Sequence, residues 1–220
     1  GVALRTGRGD PVVGLKLGFT SKAKAAQMGV SDVIVGVLTE SMRIDEGGTV
    51  DVSALIHPRI EPEVAFRLGV DVDPHDPSAD PLAAVVQVAP ALEIIDSRYR
   101  DFTFSLEDVV ADNASAAAFV VGSWRNIESV ADLQNLGVVM EINGEVAETG
   151  STAAILGDPL RALPAITRMA RRYDLALPAG LVVLAGAATA AAPLPPGAAV
   201  VAAITGLGRV NVSSRGGDRG

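Results

Sequence analysis

The chain has 220 residues, a length that suits one domain with a substantial hydrophobic core. Its 18 basic and 26 acidic residues give a formal net charge of -8, which repels nucleic-acid phosphates and anionic lipid. The absence of cysteine excludes disulfides, cysteine-ligated zinc and thiol nucleophiles. No secretory signal is recognisable, so we expect a cytoplasmic protein that binds neither nucleic acid nor a membrane.

Seven Val- and Ile-rich runs separated by glycine predict the strands of a mixed sheet. In chain order these runs cover residues 12–17, 33–38, 63–68, 91–95, 136–142, 181–184 and 198–204. Three helices are predicted, at residues 21–28, 106–111 and 159–173. The balance indicates a single α+β domain over residues 1–212, dominated by β structure, and a disordered glycine-rich tail at 213–220.

Residues 175–208 carry no charged side chain, and the segment is long enough to span a bilayer, which needs about 20 apolar residues. Prolines and glycines interrupt this segment repeatedly and would leave backbone groups unpaired in lipid. We therefore interpret it as buried strands joined by a turn at residues 194–197.

Two glutamates, Glu61 and Glu63, flank Pro62 at the edge of an apolar run. In a strand, residues two apart point to the same face, about 6–7 Å apart at the backbone, so both carboxylates would emerge side by side. That arrangement suits two ligands of one metal ion. On these residues alone, a solvated edge strand is the commoner explanation, because an edge position needs no donor from Pro62.

A third glutamate, Glu93, lies inside another apolar run, where a buried carboxylate requires a cation or several donors. An ion pair with Arg98 or Arg100 is one explanation, and a metal shared with Glu61 and Glu63 is the other. If the three glutamates converge, their hard oxygen ligands favour Mg²⁺ or Mn²⁺ over zinc.

A lysine, Lys16, lies in the middle of the first predicted strand. A lysine in such a place pairs with an acid, extends to solvent, or acts as a cation or proton donor. A structural ion pair and a chemical role both fit this pattern. Weaker signals come from Asp112-Asn113 and from the segment that ends at Thr189, which are also typical of ordinary turns.

Five motifs follow one another in a characteristic order along the chain. They are GLKLGFTSKAK at 14–24, HPRIEPEVAF at 57–66, EIIDSR at 93–98, VADNAS at 110–115 and LGVVMEING at 136–144. Together they resemble the family of 2-oxopent-4-enoate hydratases and 4-oxalocrotonate decarboxylases, in the fumarylacetoacetate hydrolase superfamily. The resemblance implies a mixed β-roll or barrel with a few flanking helices, a divalent metal, and a role in meta-cleavage degradation of aromatic compounds.

The resemblance also implies which residues act on the metal and the substrate. Glu61, Glu63 and Glu93 match the metal ligands of the family, with Mg²⁺ or Mn²⁺ as the expected ion. Lys16 matches its active-site lysine. With these matches, the metal-site explanation of the three glutamates replaces the edge strand and the simple ion pair.

Four further residues belong to the expected pocket. Asp96, Asp112 and Thr189 match positions that line it in the family, and we assign the two aspartates candidate acid–base roles and Thr189 a substrate contact. Arg98 is a candidate for binding the distal carboxylate of the substrate, although a structural salt bridge competes with that role.

The local sequences at residues 25–30, 96–104 and 136–141 and after Thr189 resemble those of the decarboxylases more than those of the hydratases. We therefore expect decarboxylation of 2-oxo-3-hexenedioate, a small 2-oxo dicarboxylic acid, to 2-oxopent-4-enoate. The alternatives are hydration of 2-hydroxypenta-2,4-dienoate on the same metal and a non-catalytic partner subunit. A homo-oligomer, in complex with the companion hydratase or decarboxylase, is also implied.

Two departures from the family pattern affect the expected pocket. Gly186-Ala187 stands where decarboxylases of the family usually have two glycines. The helical region with which they begin is also missing here, and truncation, disorder and trimming of the sequence are the three explanations we consider. If the region is absent from the protein, part of a lid over the site is absent with it.

Overall fold

The computed structural model describes residues 5–21 and 32–216, and in these ranges it contains two β-sheets and two α-helices. The strands are β1 (Val12–Gly18), β2 (Ile34–Thr39), β3 (Arg43–Ile44), β4 (Thr49–Asp51), β5 (Arg59–Leu68), β6 (Val85–Ile95), β7 (Ala116–Val121), β8 (Arg125–Asn126), β9 (Gly137–Ile142), β10 (Glu145–Ser151), β11 (Val182–Ala187), β12 (Ala192–Pro193), β13 (Ala199–Ile204) and β14 (Gly208–Arg215). The helices are α1 (Leu106–Ala111) and α2 (Ala162–Tyr173).

The larger sheet has the strand order β2-β1-β11-β5-β6-β7-β3, with β12 paired to β5 and β8 paired to β6. Parallel pairing of β1 with β11 adjoins antiparallel pairing of β11 with β5 and of β5 with β6, so the sheet is mixed. The smaller sheet has the order β10-β9-β13-β14-β4. The predicted α+β class and the mixed, curled β architecture are confirmed.

A hydrophobic core lies between the two sheets. Ile60, Leu92 and Ile94 of the larger sheet pack in one cluster with Met140 and Val200 of the smaller sheet, and all five side chains are buried. Burying each such side chain stabilises the fold by roughly 1.5–3 kcal/mol. The smaller sheet therefore covers part of one face of β5 and β6, and the opposite face is left for the site.

Helix α2 covers another part of the larger sheet. Its apolar stripe of Leu163, Ile166 and Met169 belongs to the largest core cluster, together with side chains of β1, β5 and β11. Asp158 caps the 3-10 turn that precedes α2, because its side chain accepts the backbone N–H of Leu160. The helix ends at its C-cap residue Asp174, which has a left-handed conformation. The predicted helix at 159–173 is confirmed, as is the short helix at 106–111.

All seven predicted strands are present, as β1, β2, β5, β6, β9, β11 and β13. The other seven described strands are not predicted. Of these, β7 is alanine-rich and β10 is polar, so neither shows the Val/Ile pattern used for prediction. Apart from Ser21, the helix predicted at 21–28 lies outside the described residues.

The tail prediction is wrong for residues 213–215. These residues continue β14, because β4 offers them a parallel partner with Ser213 opposite Thr49 and Arg215 opposite Asp51. Ser214 is buried and its hydroxyl donates to the carbonyl of Pro195 at 2.6 Å. Residues 217–220 lie outside the described residues.

The uncharged segment 175–208 forms β11, β12 and β13, and it turns at Pro196-Gly197, where Gly197 has a φ of 78°. Its interpretation as buried strands joined by a turn is confirmed. Over the described part of the chain, neither helix combines the length and the apolar character that a bilayer span requires.

Candidate metal centre

The charged residues of the predicted site share one face of the larger sheet. Glu61 and Glu63 lie two residues apart on β5, and Glu93 on β6 is directly opposite Glu61 in the antiparallel ladder. Lys16 of β1 reaches the same face through the registers of β1 with β11 and of β11 with β5. The sheet therefore brings together four charged side chains from strands that are distant in sequence.

The three glutamates form a compact cluster of oxygen ligands. One carboxylate oxygen from each of Glu61, Glu63 and Glu93 lies within 4.8 Å of the others, and the three residues are only 6%, 0% and 0% exposed. Among the described residues, Oε1 of Glu63 and Oε1 of Glu93 have no hydrogen-bond donor. A divalent cation that prefers oxygen ligands supplies the partner that these buried oxygens lack, so the cluster fits Mg²⁺ or Mn²⁺.

The electrostatics of the cluster also favour a cation. Burial raises the pKa of Glu63 well above its usual value, and the charges of Glu93 and Glu61 raise it further. Burial likewise raises the pKa of Glu93, although the charge of Lys16 opposes this effect. For Lys16, burial lowers the pKa, but the three glutamates together outweigh burial and the net pKa is raised. Lys16 is therefore a charged ammonium beside carboxylates that one ammonium cannot fully neutralise.

The ammonium of Lys16 is held in place by two described contacts. Its Nζ lies 3.0 Å from Oε2 of Glu93 and donates to the carbonyl of Ala114 at 3.0 Å. Gly36 of β2 leaves room for the side chain, since a Cβ there would lie 2.9 Å from Cδ of Lys16 and 2.7 Å from the carbonyl of Asn113. An ammonium has three N–H donors, so these contacts leave one for a substrate oxygen. The sequence left open whether Lys16 forms a structural ion pair or has a chemical role, and these contacts allow both.

The carbonyl that receives Lys16 belongs to an unusual turn. Asn113, Ala114 and Ser115 all have left-handed backbone conformations, with φ of 54°, 51° and 59°. Such conformations are uncommon outside glycine and are often found at functional sites. The amide of Asn113 holds the turn by two hydrogen bonds, of 2.8 and 2.9 Å, to the backbone of Val37 in β2. From the sequence, Asp112-Asn113 suggested a local turn held by its own side chains. In the structure the Asn113 side chain instead makes a long-range contact, to strand β2.

A β-bulge positions Glu63. The pairing of β11 with β5 shifts between Leu184 and Ala187, and within this bulge Gly186 donates its N–H to Oε2 of Glu63 at 2.7 Å. Gly186 has a φ of 113°, and a Cβ at this position would lie 2.2 Å from Oγ1 of Thr20. Only glycine satisfies both conditions.

The edge-strand interpretation of Glu61-Pro62-Glu63 is wrong. Strand β5 lies in the interior of the sheet, between β11 and β6. Pro62 is tolerated there because it lies beside the bulge, where its own carbonyl accepts the N–H of Ala188 at 2.9 Å.

The cluster borders a cavity of about 350 Å³, a size that suits a small organic acid. Its polar lining comprises Lys16, Glu61, Arg59 and Ser115. Its apolar lining includes Ile34, Ile95, Phe102, Phe104 and Val109. An adjoining cavity of about 300 Å³ shares Glu61 and is lined by Thr189, whose hydroxyl donates to the carbonyl of Ala190 at 2.8 Å. The structure thus brings Thr189 to the site, as the sequence suggests.

The other three predicted pocket residues form a separate cluster. The Arg98 guanidinium contacts Oδ1 of Asp112 and donates to the carbonyls of Asp96 at 3.0 Å and Asp112 at 2.9 Å. The carboxylate of Asp96 accepts the N–H groups of Ile56 and His57, the shortest at 2.8 Å. These residues line a cavity of about 490 Å³ that does not include the glutamate cluster in its lining. The structure does not bring Asp96, Arg98 and Asp112 to the metal centre, because their polar groups hold loops together.

Two residues of the cavity, Arg59 and Ser115, are absent from the sequence-based site. Arg59 precedes Glu61 by two residues on β5, so the period of the strand was a usable signal for it. The hydroxyl of Ser115 is buried and has no hydrogen-bond partner among the described residues. Ser115 could have been predicted from the sequence because it ends the VADNAS motif.

Comparisons with known proteins match nearly the whole chain. A model of the fumarylacetoacetate hydrolase C-terminal family matches residues 12–213. A 4-oxalocrotonate decarboxylase of a Pseudomonas species is 53% identical over 215 residues, which cover 98% of this chain and 83% of the relative. A 2-keto-4-pentenoate hydratase of Paraburkholderia xenovorans LB400 is 37% identical over 207 residues, which cover 94% of this chain and 77% of the relative.

Solved structures agree with these matches. The 4-oxalocrotonate decarboxylase of Pseudomonas putida G7, complexed with magnesium and adipate, superposes with a TM-score of 0.90 at 41% identity, over 97% of this chain and 81% of that one. Fumarylpyruvate hydrolase of Pseudomonas aeruginosa, in complex with Mn²⁺ and pyruvate, superposes with a TM-score of 0.73 at 16% identity, over 94% and 91% of the two chains. At that identity, the second structure demonstrates a shared fold only.

Proposed function

This chain belongs to the fumarylacetoacetate hydrolase family, and we propose that within it the chain is a metal-dependent lyase that decarboxylates 2-oxo-3-hexenedioate. The observation that carries the proposal is the buried cluster of Glu61, Glu63 and Glu93 with Lys16 at its edge, open to a cavity of about 350 Å³. The relatives of 53%, 45% and 44% identity are named 4-oxalocrotonate decarboxylase, which supports this substrate. Adipate, bound in the solved relative, is a six-carbon dicarboxylate like the proposed substrate.

The metal would be held by Glu61, Glu63 and Glu93, and Mg²⁺ or Mn²⁺ suits their all-oxygen ligand set. When bound, such an ion supplies a Lewis acid that polarises the 2-oxo group of a chelating 2-oxo acid. The N–H of Gly186 fixes the orientation of Glu63, and the ammonium of Lys16 fixes that of Glu93. These two contacts keep the ligand oxygens turned toward one another.

In the proposed reaction, the bond between C5 and C6 of the substrate breaks and C6 leaves as carbon dioxide. The electron pair moves through the C3–C4 alkene to the oxygen on C2, which becomes negatively charged. Lys16 stabilises that charge and then donates a proton, which gives 2-hydroxypenta-2,4-dienoate or its keto form, 2-oxopent-4-enoate. The raised pKa of Lys16 keeps it protonated for this role.

The apolar wall of the cavity contributes to the same chemistry. Phe102, Phe104, Ile34 and Val109 surround the space beside Lys16 and Glu61 with side chains that offer water no hydrogen bonds. A low local dielectric strengthens the effect of the Lys16 charge on the developing oxyanion. Among the described residues of the lining, Glu61 is the acidic side chain, and no second one is present to activate water at the far end of the substrate.

That wall favours decarboxylation over hydration. A hydratase requires an acid–base group near the far carbon of the substrate, and the candidates from the sequence, Asp96 and Asp112, accept backbone N–H groups and Arg98 at another cavity. A non-catalytic partner subunit is also disfavoured. Such a protein has no chemical reason to bury three glutamates and a lysine together.

The test is product analysis with two substrates. The purified protein is incubated with Mg²⁺ and 2-oxo-3-hexenedioate and the release of carbon dioxide is measured, with the Glu63→Ala variant as the inactive control. The protein is then given 2-hydroxypenta-2,4-dienoate and the loss of diene absorbance is followed. We expect carbon dioxide from the first substrate. Turnover of the second substrate alone would establish a hydratase, and turnover of neither by a metal-loaded protein would leave the non-catalytic partner.

Three parts of the proposal concern the surroundings of the enzyme and are carried by the family resemblance. We propose a homo-oligomer, its association with the companion hydratase of the pathway, and a cytoplasmic location. Light scattering of the purified chain tests the first. Co-purification with the hydratase tests the second, and cell fractionation tests the third.

A further inference from the structure

We infer that Arg59 binds the second carboxylate of the substrate and so selects dicarboxylic over monocarboxylic 2-oxo acids; this inference rests on the proposed function. Arg59 is the first residue of β5 and lies two residues before Glu61, so both side chains leave the same face of the strand. Both also line the cavity that contains Lys16. The cavity therefore has a metal-binding end and, along the same strand, an arginine.

The guanidinium of the exposed Arg59 stacks on an aromatic ring. Its Cζ lies 4.8 Å from the ring centroid of Phe102, and that ring packs edge-on against His57 with centroids 4.7 Å apart. Phe102 has a left-handed φ of 55°, which marks a constrained loop around it. Stacking on a ring face leaves the N–H groups along the edge of the guanidinium available for two parallel hydrogen bonds to a carboxylate.

Among the cations that the described residues contribute to this cavity, Arg59 is the one that has no acidic partner. Within residues 5–21 and 32–216, no carboxylate forms an ion pair with it. Lys16, the other cation in the lining, is already paired with Glu93. Arg98, the candidate from the sequence, is paired with Asp112 beside a different cavity. A second carboxylate in this cavity therefore finds its partner at Arg59.

The spacing along β5 agrees with the length of a six-carbon diacid. Residues two apart on a strand are about 6–7 Å apart at the backbone. The terminal carbons of an extended six-carbon chain are roughly 6 Å apart, since five bonds of about 1.5 Å follow a zigzag path. A substrate whose 2-oxo acid end lies at Glu61 thus brings its far end to Arg59. Arg59 also borders a proline-rich cavity of about 380 Å³, whose lining by described residues contains no Asp or Glu and no other Lys or Arg.

This placement predicts a specific kinetic role. The carboxylate at Arg59 is the one that departs as neutral carbon dioxide, so its negative charge is larger in the bound substrate than in the transition state. An arginine that binds it stabilises the substrate at least as strongly as the transition state. Loss of Arg59 should therefore raise KM and leave kcat nearly unchanged.

The test compares two ligands that differ only in the second carboxylate, 2-oxoadipate and 2-oxohexanoate. Their binding to the Mg²⁺-loaded protein is measured by calorimetry for the parent, Arg59→Met, Arg59→Lys and Arg67→Met. Arg67 is the matched control, because it lies on the same face of β5, stacks on Trp124 at 4.2 Å and lines a different cavity. Melting temperatures of all four proteins establish that each is folded.

We expect the parent and Arg67→Met to prefer 2-oxoadipate by roughly 10- to 100-fold, the range of a charge-assisted hydrogen-bonded pair. Arg59→Met should lose this preference and bind 2-oxohexanoate as the parent does, and Arg59→Lys should retain part of it. With 2-oxo-3-hexenedioate, Arg59→Met should show a raised KM and a kcat within about threefold of the parent.

A folded Arg59→Met that still prefers 2-oxoadipate would overturn the inference, and so would a parent that binds both ligands equally. In both cases carbon dioxide release by the parent would leave the proposed function intact. If the Mg²⁺-loaded parent neither binds these acids nor releases carbon dioxide, the proposed function fails, and the role of Arg59 fails with it.

Discussion

Glu61 and Glu93 lie directly opposite each other in the antiparallel ladder between β5 and β6. Like charges in opposite positions destabilise a sheet, and here both side chains are buried beside a third carboxylate, that of Glu63. Lys16 neutralises only part of this charge. In the metal-free protein, repulsion among the three carboxylates therefore lowers the free energy of unfolding. A divalent cation bound between them should raise it again.

Removing one ligand charge should separate stability from metal binding. We expect Glu63→Gln to stabilise the metal-free protein by about 1–2 kcal/mol, a rise of a few degrees in Tm for a domain of this size. The same variant should lose the increase in Tm that Mg²⁺ gives the parent, because a neutral amide is a poor ligand for this ion. Thermal unfolding in EDTA and in Mg²⁺ measures both effects.

The exposed Glu145 of β10 provides the control for this experiment. Glu145→Gln removes the same charge from the chain and should leave both the metal-free Tm and the Mg²⁺-induced rise unchanged. If Glu63→Gln kept the full Mg²⁺-induced rise, the ion would have to be held elsewhere.

The stability of the metal-free protein should fall as pH rises from about 4.5 toward neutrality. Burial raises the pKa of Glu63 and of Glu93 above the ordinary glutamate value of 4.5. A carboxyl whose pKa is raised in the folded state favours folding below its unfolded pKa, and this contribution is lost as pH passes the folded pKa. With Mg²⁺ the trend reverses, because the ion competes with protons for the same oxygens. Tm values with EDTA and with Mg²⁺ across roughly pH 5 to 8 should diverge, and parallel curves would contradict the expectation.

Lys16 should be needed for turnover, whereas Mg²⁺ should still bind without it, because the loss of the orienting contact to Glu93 is offset by the loss of a like charge beside the ion. Lys16→Met removes the only ammonium beside the three glutamates among the described residues. The loss of one charged group that stabilises an oxyanion typically lowers kcat by about 100- to 1000-fold, and we expect a loss of that size in carbon dioxide release. Calorimetry should show that Mg²⁺ still binds. Activity within a factor of about three of the parent would exclude Lys16 from the chemistry.

Much of the metal centre could be predicted from the sequence because its geometry is local to two strands. The two-residue period of a strand predicts that Glu61 and Glu63 share a face, and the apolar run around Glu93 predicts that this carboxylate is buried. Their convergence depends on the register of β5 with β6, which a single sequence does not determine. The ordered motifs supplied that information.

The rest of the pocket could not be predicted because it depends on where the chain leaves the sheet. Strand β6 ends at Ile95, so Asp96 and Arg98 lie beyond the face that carries Glu93 although they follow it closely in sequence. Asp112 lies on their side of the left-handed turn that begins at Asn113. Closeness in sequence to a metal ligand was therefore a poor guide to position in the fold.

Asp112 should act as a structural acceptor. Its carboxylate accepts the backbone N–H of Arg98 at 3.1 Å and pairs with the Arg98 guanidinium, and only 5% of its side chain is exposed. We expect Asp112→Asn to lower the free energy of unfolding by about 1–3 kcal/mol, because the new amide presents N–H groups to other donors. Urea unfolding in saturating Mg²⁺ measures this loss, with the exposed Asp132→Asn as control. An unchanged unfolding free energy together with lost turnover would restore the acid–base role considered from the sequence.

Gly186 should be required for metal affinity, although it is not itself a ligand. In Gly186→Ala the φ of 113° becomes strained and the new Cβ lies 2.2 Å from Oγ1 of Thr20, so the bulge must move and its N–H must leave Oε2 of Glu63. Groups that orient a metal ligand typically contribute about 10- to 100-fold in affinity, and we expect the Kd for Mg²⁺ to rise by that factor. The matched control is Ala187→Gly, which alters the neighbouring residue of the same bulge without adding an atom. If calorimetry gave Gly186→Ala the same Kd as Ala187→Gly, the orientation of Glu63 would not depend on this N–H.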